Sequence, residues 1–137
     1  MAHYRHSYGK DQRLKSVLTF DRVFAKGDKI KAYPVIARHT ESEFIAEVPF
    51  QVATTVSKRR FRKAVSRNRI KRLMREAWRL EKHRLEEKWA KGDKQGALVL
   101  IYVGKEIPTF EKCANTISRI IDVLLKNQEN DERKNKI

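Results

Sequence analysis

The sequence predicts an α+β fold, an α/β sandwich in which helices pack a mixed sheet. Two observations carry this prediction: extended segments with alternating or continuous apolar residues, and long segments whose apolar residues recur at helical spacing. The chain has 137 residues, 40% of them hydrophobic, which is enough for one domain with a buried core. Since the apolar residues fall in periodic runs, a charged content of 36% does not indicate intrinsic disorder.

The predicted domain begins with a short helix. Thr19 can cap its start, and Gly27 can provide a left-handed stop at its end. Phe20, Val23 and Phe24 lie on one side of this helix. From the residues alone, core packing is the favoured role of that side.

Two predicted strands follow this helix. Residues 32–38 form the first, and Pro34 near its start favours an edge position because proline cannot donate to a ladder. Residues 44–56 form the second, in which apolar and polar side chains alternate from Phe50 to Val56.

The second half of the chain predicts a long helix, a strand and a last helix. Residues 63–89 carry apolar side chains at three-and-four spacing. The continuous apolar run at residues 97–103 is typical of a buried strand. Thr109 can cap the last helix, whose apolar face continues to Leu124.

A single domain is therefore predicted at residues 13–126, between a flexible arm at residues 1–12 and a disordered tail at residues 127–137. No apolar stretch approaches the length that spans a bilayer, and the polar start lacks the apolar core of a secretory signal, so we expect a cytoplasmic protein. Cys113 cannot form an internal disulfide, and we expect it on a buried helix face.

Positive charge is concentrated in one segment. The net charge is +15, of which residues 57–75 contribute +10 through ten Lys or Arg and no acid, against +3 from residues 1–56 and +2 from residues 76–137. Self-repulsion of this density weakens the compact state, and phosphates would relieve it. The segment therefore predicts a nucleic-acid interface rather than a solvated helix face, which the mixed charges of residues 76–88 resemble.

The long helix has two predicted faces. With Arg67 at zero on a wheel of about 100° per residue, a cationic set lies within roughly 0–140° and an apolar set between about 220 and 300°. The cationic set is Arg67, Lys71, Arg72, Arg75, Arg79 and Lys82, and the apolar set is Ile70, Leu73, Ala77 and Leu80. One face is expected to pack on the sheet, and the other to present cations to successive phosphates. Asn68 has three open interpretations: a helix cap, a base or sugar contact, or a ligand of a hydrated metal ion.

The run from Lys63 to Glu76, KAVSRNRIKRLMRE, closely resembles the RNR motif of the protein subunit of bacterial ribonuclease P. The preceding Val56-Ser57-Lys58-Arg59, the early Phe20-x-x-Val23-Phe24-x-x-Gly27 helix and the order of elements are similar too, over about residues 13–126. The resemblance implies a mixed four-stranded-type sheet packed by three helices. It also implies a left-handed βαβ crossover, which periodicity cannot reveal.

The same resemblance implies two RNA-binding sites. The site for the catalytic RNA subunit would consist of Arg67, Asn68, Arg69, Lys71, Arg72 and Arg75. In a cleft between the sheet and the first helix, the single-stranded 5′ leader of precursor tRNA would meet Phe20, Phe24, Tyr33, Lys58 and Arg59. The catalytic RNA and precursor tRNA are the implied partners, with no membrane and no protein partner required. The segment at residues 60–62 departs from the smaller, glycine-containing connection of many family members.

The residues agree with an accessory role in an endoribonuclease. The acids and the four histidines are scattered, so we expect no catalytic residue and no metal site in the protein. By resemblance, the RNA subunit holds the Mg²⁺ ions that activate water.

Two rival classes share the basic helix. A ribosomal or ribosome-assembly protein would be distinguished by co-purifying ribosomal RNA. A DNA-binding module would need base-reading side chains on a recognition helix, and an arginine row spaced for a backbone argues against it.

Overall fold

The computed structural model describes residues 12–14, 21–23, 25, 27–41, 50–89 and 95–135, and for residues 88–89 and 127–135 the backbone conformation alone. Four strands and three helices are assigned within these ranges. The strands are β1 (Asp28–Ala32), β2 (Val35–Glu41), β3 (Phe50–Val56) and β4 (Gly96–Tyr102), and the helices are α1 (Ala64–Glu81), α2 (His83–Trp89) and α3 (Phe110–Asn135).

The strands form one mixed sheet in the order β1-β2-β4-β3. β2 pairs antiparallel with β1 and with β4, whereas β3 and β4 run parallel. Since parallel neighbours need a crossover, α1 and α2 connect β3 to β4 over the sheet. The predicted mixed four-stranded sheet is confirmed, and the left-handed sense of the crossover stays a prediction.

The first predicted strand is in fact part of a hairpin. Tyr33 and Pro34 lie in the turn between β1 and β2, where Ala32 pairs with Val35. The predicted edge position is therefore wrong, because β2 has a partner on each side and Pro34 precedes its ladder. β1 is the edge strand. Its alternating lysines obscured the strand pattern in the sequence, and charged side chains of this kind suit a strand edge that has no pairing partner.

The predicted long helix is interrupted at Lys82. α1 ends at Glu81 and α2 begins at His83, although the Lys82 N–H still bonds to the Trp78 carbonyl at 2.9 Å. At this junction the Leu85 N–H bonds to the carbonyl of Lys82, a tighter turn than the α-helical one.

Two other helix ends differ from prediction. α3 begins at Phe110, as expected, but continues to Asn135, beyond the end predicted at Lys126 from the last apolar residues. Near the first helix, residues 21–23 and 25 are helical, and no described glycine has a positive φ. Gly27 is therefore not the left-handed stop that the sequence predicts. Its N–H bonds to the Val23 carbonyl at 2.9 Å, and a Cβ at Gly27 would collide with the same oxygen. Thr19 and Phe24 lie outside the described residues.

The main core lies between the sheet and the two amphipathic helices α1 and α3, as predicted. Its largest side chain is Trp78 of α1, which packs edge-on against Phe50 with ring centroids 6.3 Å apart. From α3 this core buries Cys113, Ile117, Ile120, Ile121 and Leu124. A smaller cluster on the opposite face of the sheet packs Leu14 and Val23 over Ala97 and Val99. Residues 12–14 reach it alongside β3, where the Leu14 N–H bonds to the Val52 carbonyl at 3.1 Å.

Candidate RNA interface

The buried side of α1 decides which cations the helix presents. Ile70, Met74, Ala77 and Trp78 are buried, and Leu73 is partly buried against the core, whereas Leu80 is 40% exposed. On the wheel used above, the buried four span roughly 280° to 20°, an arc turned about 70° toward Arg67 from the predicted one. The cause is the burial of Met74 and Trp78, two apolar residues that the predicted apolar set omitted.

This rotation moves the centre of the exposed face. The side chains of Asn68, Arg69, Arg72 and Arg75 are exposed. Within the described part of the chain, none of these three arginines has a carboxylate within ion-pair distance. These cations thus have no ion-pair partner among the described residues and stand on a helix fixed by burial, which is the arrangement that phosphate binding needs. Lys71 is half-buried at the border of this face.

Arg67 plays a different part from its neighbours. Its guanidinium donates to the backbone carbonyls of Phe61 at 2.8 Å and Arg62 at 2.9 Å. Arg67 is half-buried and holds the connection that enters α1. The first arginine of the motif therefore shapes the interface and also contributes charge to it.

The entry to α1 adds positive potential. Lys63 stands at the N-cap without a capping side-chain hydrogen bond, and the first turn contains no acid. The unsatisfied N–H groups of a helix start carry partial positive charge. Cations and helix dipole therefore favour the same sign of ligand at this end.

Two residues of the predicted cationic set are engaged elsewhere. Arg79 forms an ion pair with Glu76. The hydrogen bonds that the Arg79 guanidinium donates to the Glu76 carboxylate hold the pKa of that carboxyl below its usual value. Lys82 is 1% exposed; its ammonium donates to Gln12 Oε1 and lies 3.2 Å from Glu86 Oε1. Placing Lys82 on the RNA face was therefore wrong, because its side chain is buried against Gln12 and Glu86.

The residues predicted to bind the leader are only partly brought together. Phe20 and Phe24 lie outside the described residues. Lys58 and Arg59 are exposed in the turn that follows β3. Tyr33 is exposed in the β1–β2 turn and lines a cavity beside the start of α3, which separates it from the sheet face that Leu14 and Val23 occupy.

Sequence reasoning missed two arginines beside these sites. Arg38 alternates with the core-facing Ala37 of β2, so it lies on the sheet face opposite α1 and α3. The period-two pattern would identify it once the strand is known to begin at Val35. Arg60 donates to the Val103 carbonyl, a contact between loops that no sequence pattern signals.

No metal site is formed by the described side chains. In those ranges, no three His, Cys, Asp or Glu residues gather in a group able to hold an ion. Nor does any helix there have the length and apolar character needed to cross a bilayer.

Comparison with known proteins decides the family. The family model for ribonuclease P matches residues 8–125. This chain belongs to the ribonuclease P protein family. The ribonuclease P protein component of Chlorobaculum tepidum is 36% identical over 129 residues, covering 88% of this chain and 82% of the relative. That of Porphyromonas gingivalis is 31% identical over 127 residues, covering 92% of each chain.

The fold of the ribonuclease P protein family is also shared. The ribonuclease P protein of Staphylococcus aureus superposes with a TM-score of 0.65 at 21% identity, covering 82% of this chain and 94% of that chain. The family and the fold expected from the RNR motif are therefore confirmed. The assignment of individual residues to the two RNA sites stays a prediction.

Proposed function

We propose that this chain is the protein subunit of a bacterial ribonuclease P, which supports endonucleolytic removal of the 5′ leader from precursor tRNA. The observation that supports this proposal is the exposed face of α1 in a chain that belongs to this family. This exposed face consists of Asn68, Arg69, Arg72 and Arg75. Its three arginines have no carboxylate partner among the described residues, and the core fixes their helix. They would bind phosphates of the catalytic RNA and release condensed counterions.

Arg67 and Lys71 complete the RNA-subunit site in different ways. Lys71 lies at the border of the exposed face and can reach phosphates from the side. Arg67 holds the connection at Phe61 and Arg62 in place, so it positions the start of α1 against RNA. Asn68, exposed among the arginines, is suited to a sugar or base contact.

The leader is assigned to the opposite sheet face and the end of β3. Lys58 and Arg59 would bind its phosphates, and Arg38 on the same sheet face adds a third cation. Phe20 and Phe24 remain the proposed stacking residues of this cleft, since unstacked bases bind aromatic rings with little sequence preference. A substrate class whose leaders differ in sequence requires that tolerance.

The chemistry itself is assigned to the RNA subunit. Among the described residues no three or more His, Cys, Asp or Glu side chains gather to hold a metal ion, whereas RNA offers the phosphate oxygens to which Mg²⁺ binds. The residues of this chain bind and orient the two RNAs and reduce phosphate repulsion between them. A cytoplasmic location and independence from other protein partners belong to the same proposal.

Reconstitution tests this function directly. The purified chain is mixed with a bacterial ribonuclease P RNA at low Mg²⁺, and 5′ cleavage of precursor tRNA is followed. We expect faster cleavage than with RNA alone, because the protein replaces part of the charge screening that Mg²⁺ otherwise supplies. Absence of stimulation would overturn the subunit assignment.

A charge-matched pair of variants provides the control. Replacing Arg69, Arg72 and Arg75 by glutamine should abolish most of the stimulation. Replacing Arg72 alone by glutamine should already lower it, whereas replacing Lys126 alone removes the same charge from an exposed position of α3 and should leave it unchanged. The rival ribosomal role predicts instead that ribosomal RNA co-purifies with the chain and that ribonuclease P RNA does not.

A further inference from the structure

A cavity of about 410 Å³ opens at the end of the sheet where the β1–β2 turn meets the start of α3. Tyr33 and Pro34 line it from the turn, and Tyr102 lines it from the end of β4. The loop at residues 104–109 and Lys112 of α3 also line it. Its volume falls within the range of small-ligand sites.

Tyr33 is presented to this cavity from a fixed turn. It is 63% exposed, yet the backbone beside it is held on two sides. The Val103 N–H donates to the Pro34 carbonyl at 2.8 Å, and the Arg119 guanidinium donates to the Tyr33 carbonyl at 3.2 Å. An exposed aromatic ring on a tethered backbone can stack a base with little loss of conformational entropy.

The loop opposite Tyr33 is fixed as well. The Tyr102 hydroxyl donates to the Glu106 carbonyl at 2.5 Å, and a side chain at Gly104 would collide with the Tyr102 ring. The cavity is therefore bounded by backbone that the core holds in place.

Positive charge surrounds this cavity. Lys105 and Lys112 line it and are exposed, and neither has an ion-pair partner within the described ranges. One acid, Glu106, is among the lining residues. Arg119 adds a third cation beside the turn. An anion with a flat aromatic part complements these groups better than a neutral or cationic ligand does.

The rim of the cavity contacts the connection that enters α1. The Arg60 guanidinium donates to the Val103 carbonyl, and the Phe61 ring lies against Tyr102 with centroids 6.0 Å apart. Arg67 bonds to the Phe61 carbonyl in turn. These contacts join the rim of the cavity to the connection that enters α1, where the proposed RNA site begins.

We propose that the cavity binds one unstacked nucleotide of RNA, with its base on Tyr33 and its phosphate beside Lys105 and Lys112. This site is separate from the leader cleft, and it deepens the proposed function, on which it rests. The nucleotide could belong to the catalytic RNA or to precursor tRNA, since both supply the same chemistry.

Binding of Tyr33 variants tests the inference. Affinity is measured for the catalytic RNA alone and for precursor tRNA with the reconstituted complex. Y33A should weaken binding by about 5- to 150-fold in one of these arms, the loss expected for one stacked base. Y33W should restore it, because a larger ring stacks equally well. K112Q should lower the slope of log affinity against log salt by about 1 in the same arm.

Controls separate the possible failures. V123A changes an exposed apolar residue of α3 about three turns from Lys112 and should have no effect. Since Tyr33 is exposed, Y33A should unfold at the wild-type temperature, which a thermal melt verifies. A photo-crosslinking phenylalanine analogue at position 33 should label one RNA and thereby identify the source of the nucleotide.

Two outcomes would overturn the inference differently. Wild-type affinity of Y33A in both arms, with binding still sensitive to R72A, would reject the nucleotide site and leave the proposed function standing. A wild-type chain that does not bind ribonuclease P RNA would reject both.

Discussion

At the residue scale, arginines that look equivalent in the sequence have different roles. Arg72 is exposed without a carboxylate partner among the described residues, Arg67 holds backbone carbonyls of the preceding connection, and Arg79 is paired with Glu76. An ion pair within the helix lowers the net charge that a phosphate meets. Under the proposed function, local partners therefore decide which arginines are available to RNA.

Arg72 and Arg79 form a matched pair for testing this difference. R72A should lower the slope of log affinity against log salt for the catalytic RNA by about 1, the value for one phosphate contact. R79A should change the slope less, because Glu76 already neutralises Arg79. Equal slopes for the two variants would show that the pairing with Glu76 does not persist in the complex.

At the element scale, the junction between α1 and α2 is built around a buried charge. Lys82 is bonded to Gln12 and paired with Glu86, which is itself 8% exposed. Burial of an ion is costly unless a partner compensates it. The pair therefore fixes both the N-terminal segment and the helix junction.

Breaking this buried pair should destabilise the fold. K82M leaves Glu86 without its cation and should cost about 3–5 kcal/mol in the free energy of unfolding, whereas the double variant K82M/E86L should recover most of that loss. Urea unfolding measures both changes. K126M, at an exposed lysine of α3, is the control and should have little effect. An unchanged stability for K82M would place Lys82 in water.

The elements also show how far the sequence could predict the fold. Strong apolar periodicity located the end of β3, both ends of β4 and the starts of α1 and α3 to within a residue, but not the start of β3 or the end of α1. β1 was missed because a short charged edge strand resembles a loop. The sequence predicted that α1 has a cationic face. It misplaced the centre of that face on the helix, because the burial of Trp78 and Lys82 depends on tertiary contacts. Long-range hydrogen bonds such as those of Arg60 and Arg119 leave no local pattern.

At the scale of the whole molecule, the core places two ionisable groups in apolar surroundings. Burial raises the pKa of the Cys113 thiol from 9.0 to about 11 and that of the Tyr102 hydroxyl from 10.0 to about 12. In both, the folded state favours the neutral form. The folded state therefore keeps protons that the unfolded chain releases as the pH rises.

Stability should consequently fall at alkaline pH. Below pH 9 both states keep the Cys113 proton, so the thiol has no effect. Between about pH 9 and 11 the unfolded chain ionises first, and the unfolding midpoint in urea should drop. C113A should flatten this part of the profile and leave the later decline from Tyr102. An identical profile for C113A would show that the thiol does not titrate differently on folding.

The contacts of residues 12–14 have a consequence for how the chain is made. Gln12 meets Lys82 across 70 positions, and Leu14 bonds to Val52. Translation releases these early residues long before either partner exists. The docking of residues 12–14 must therefore wait until β3 and the end of α1 have both been synthesised.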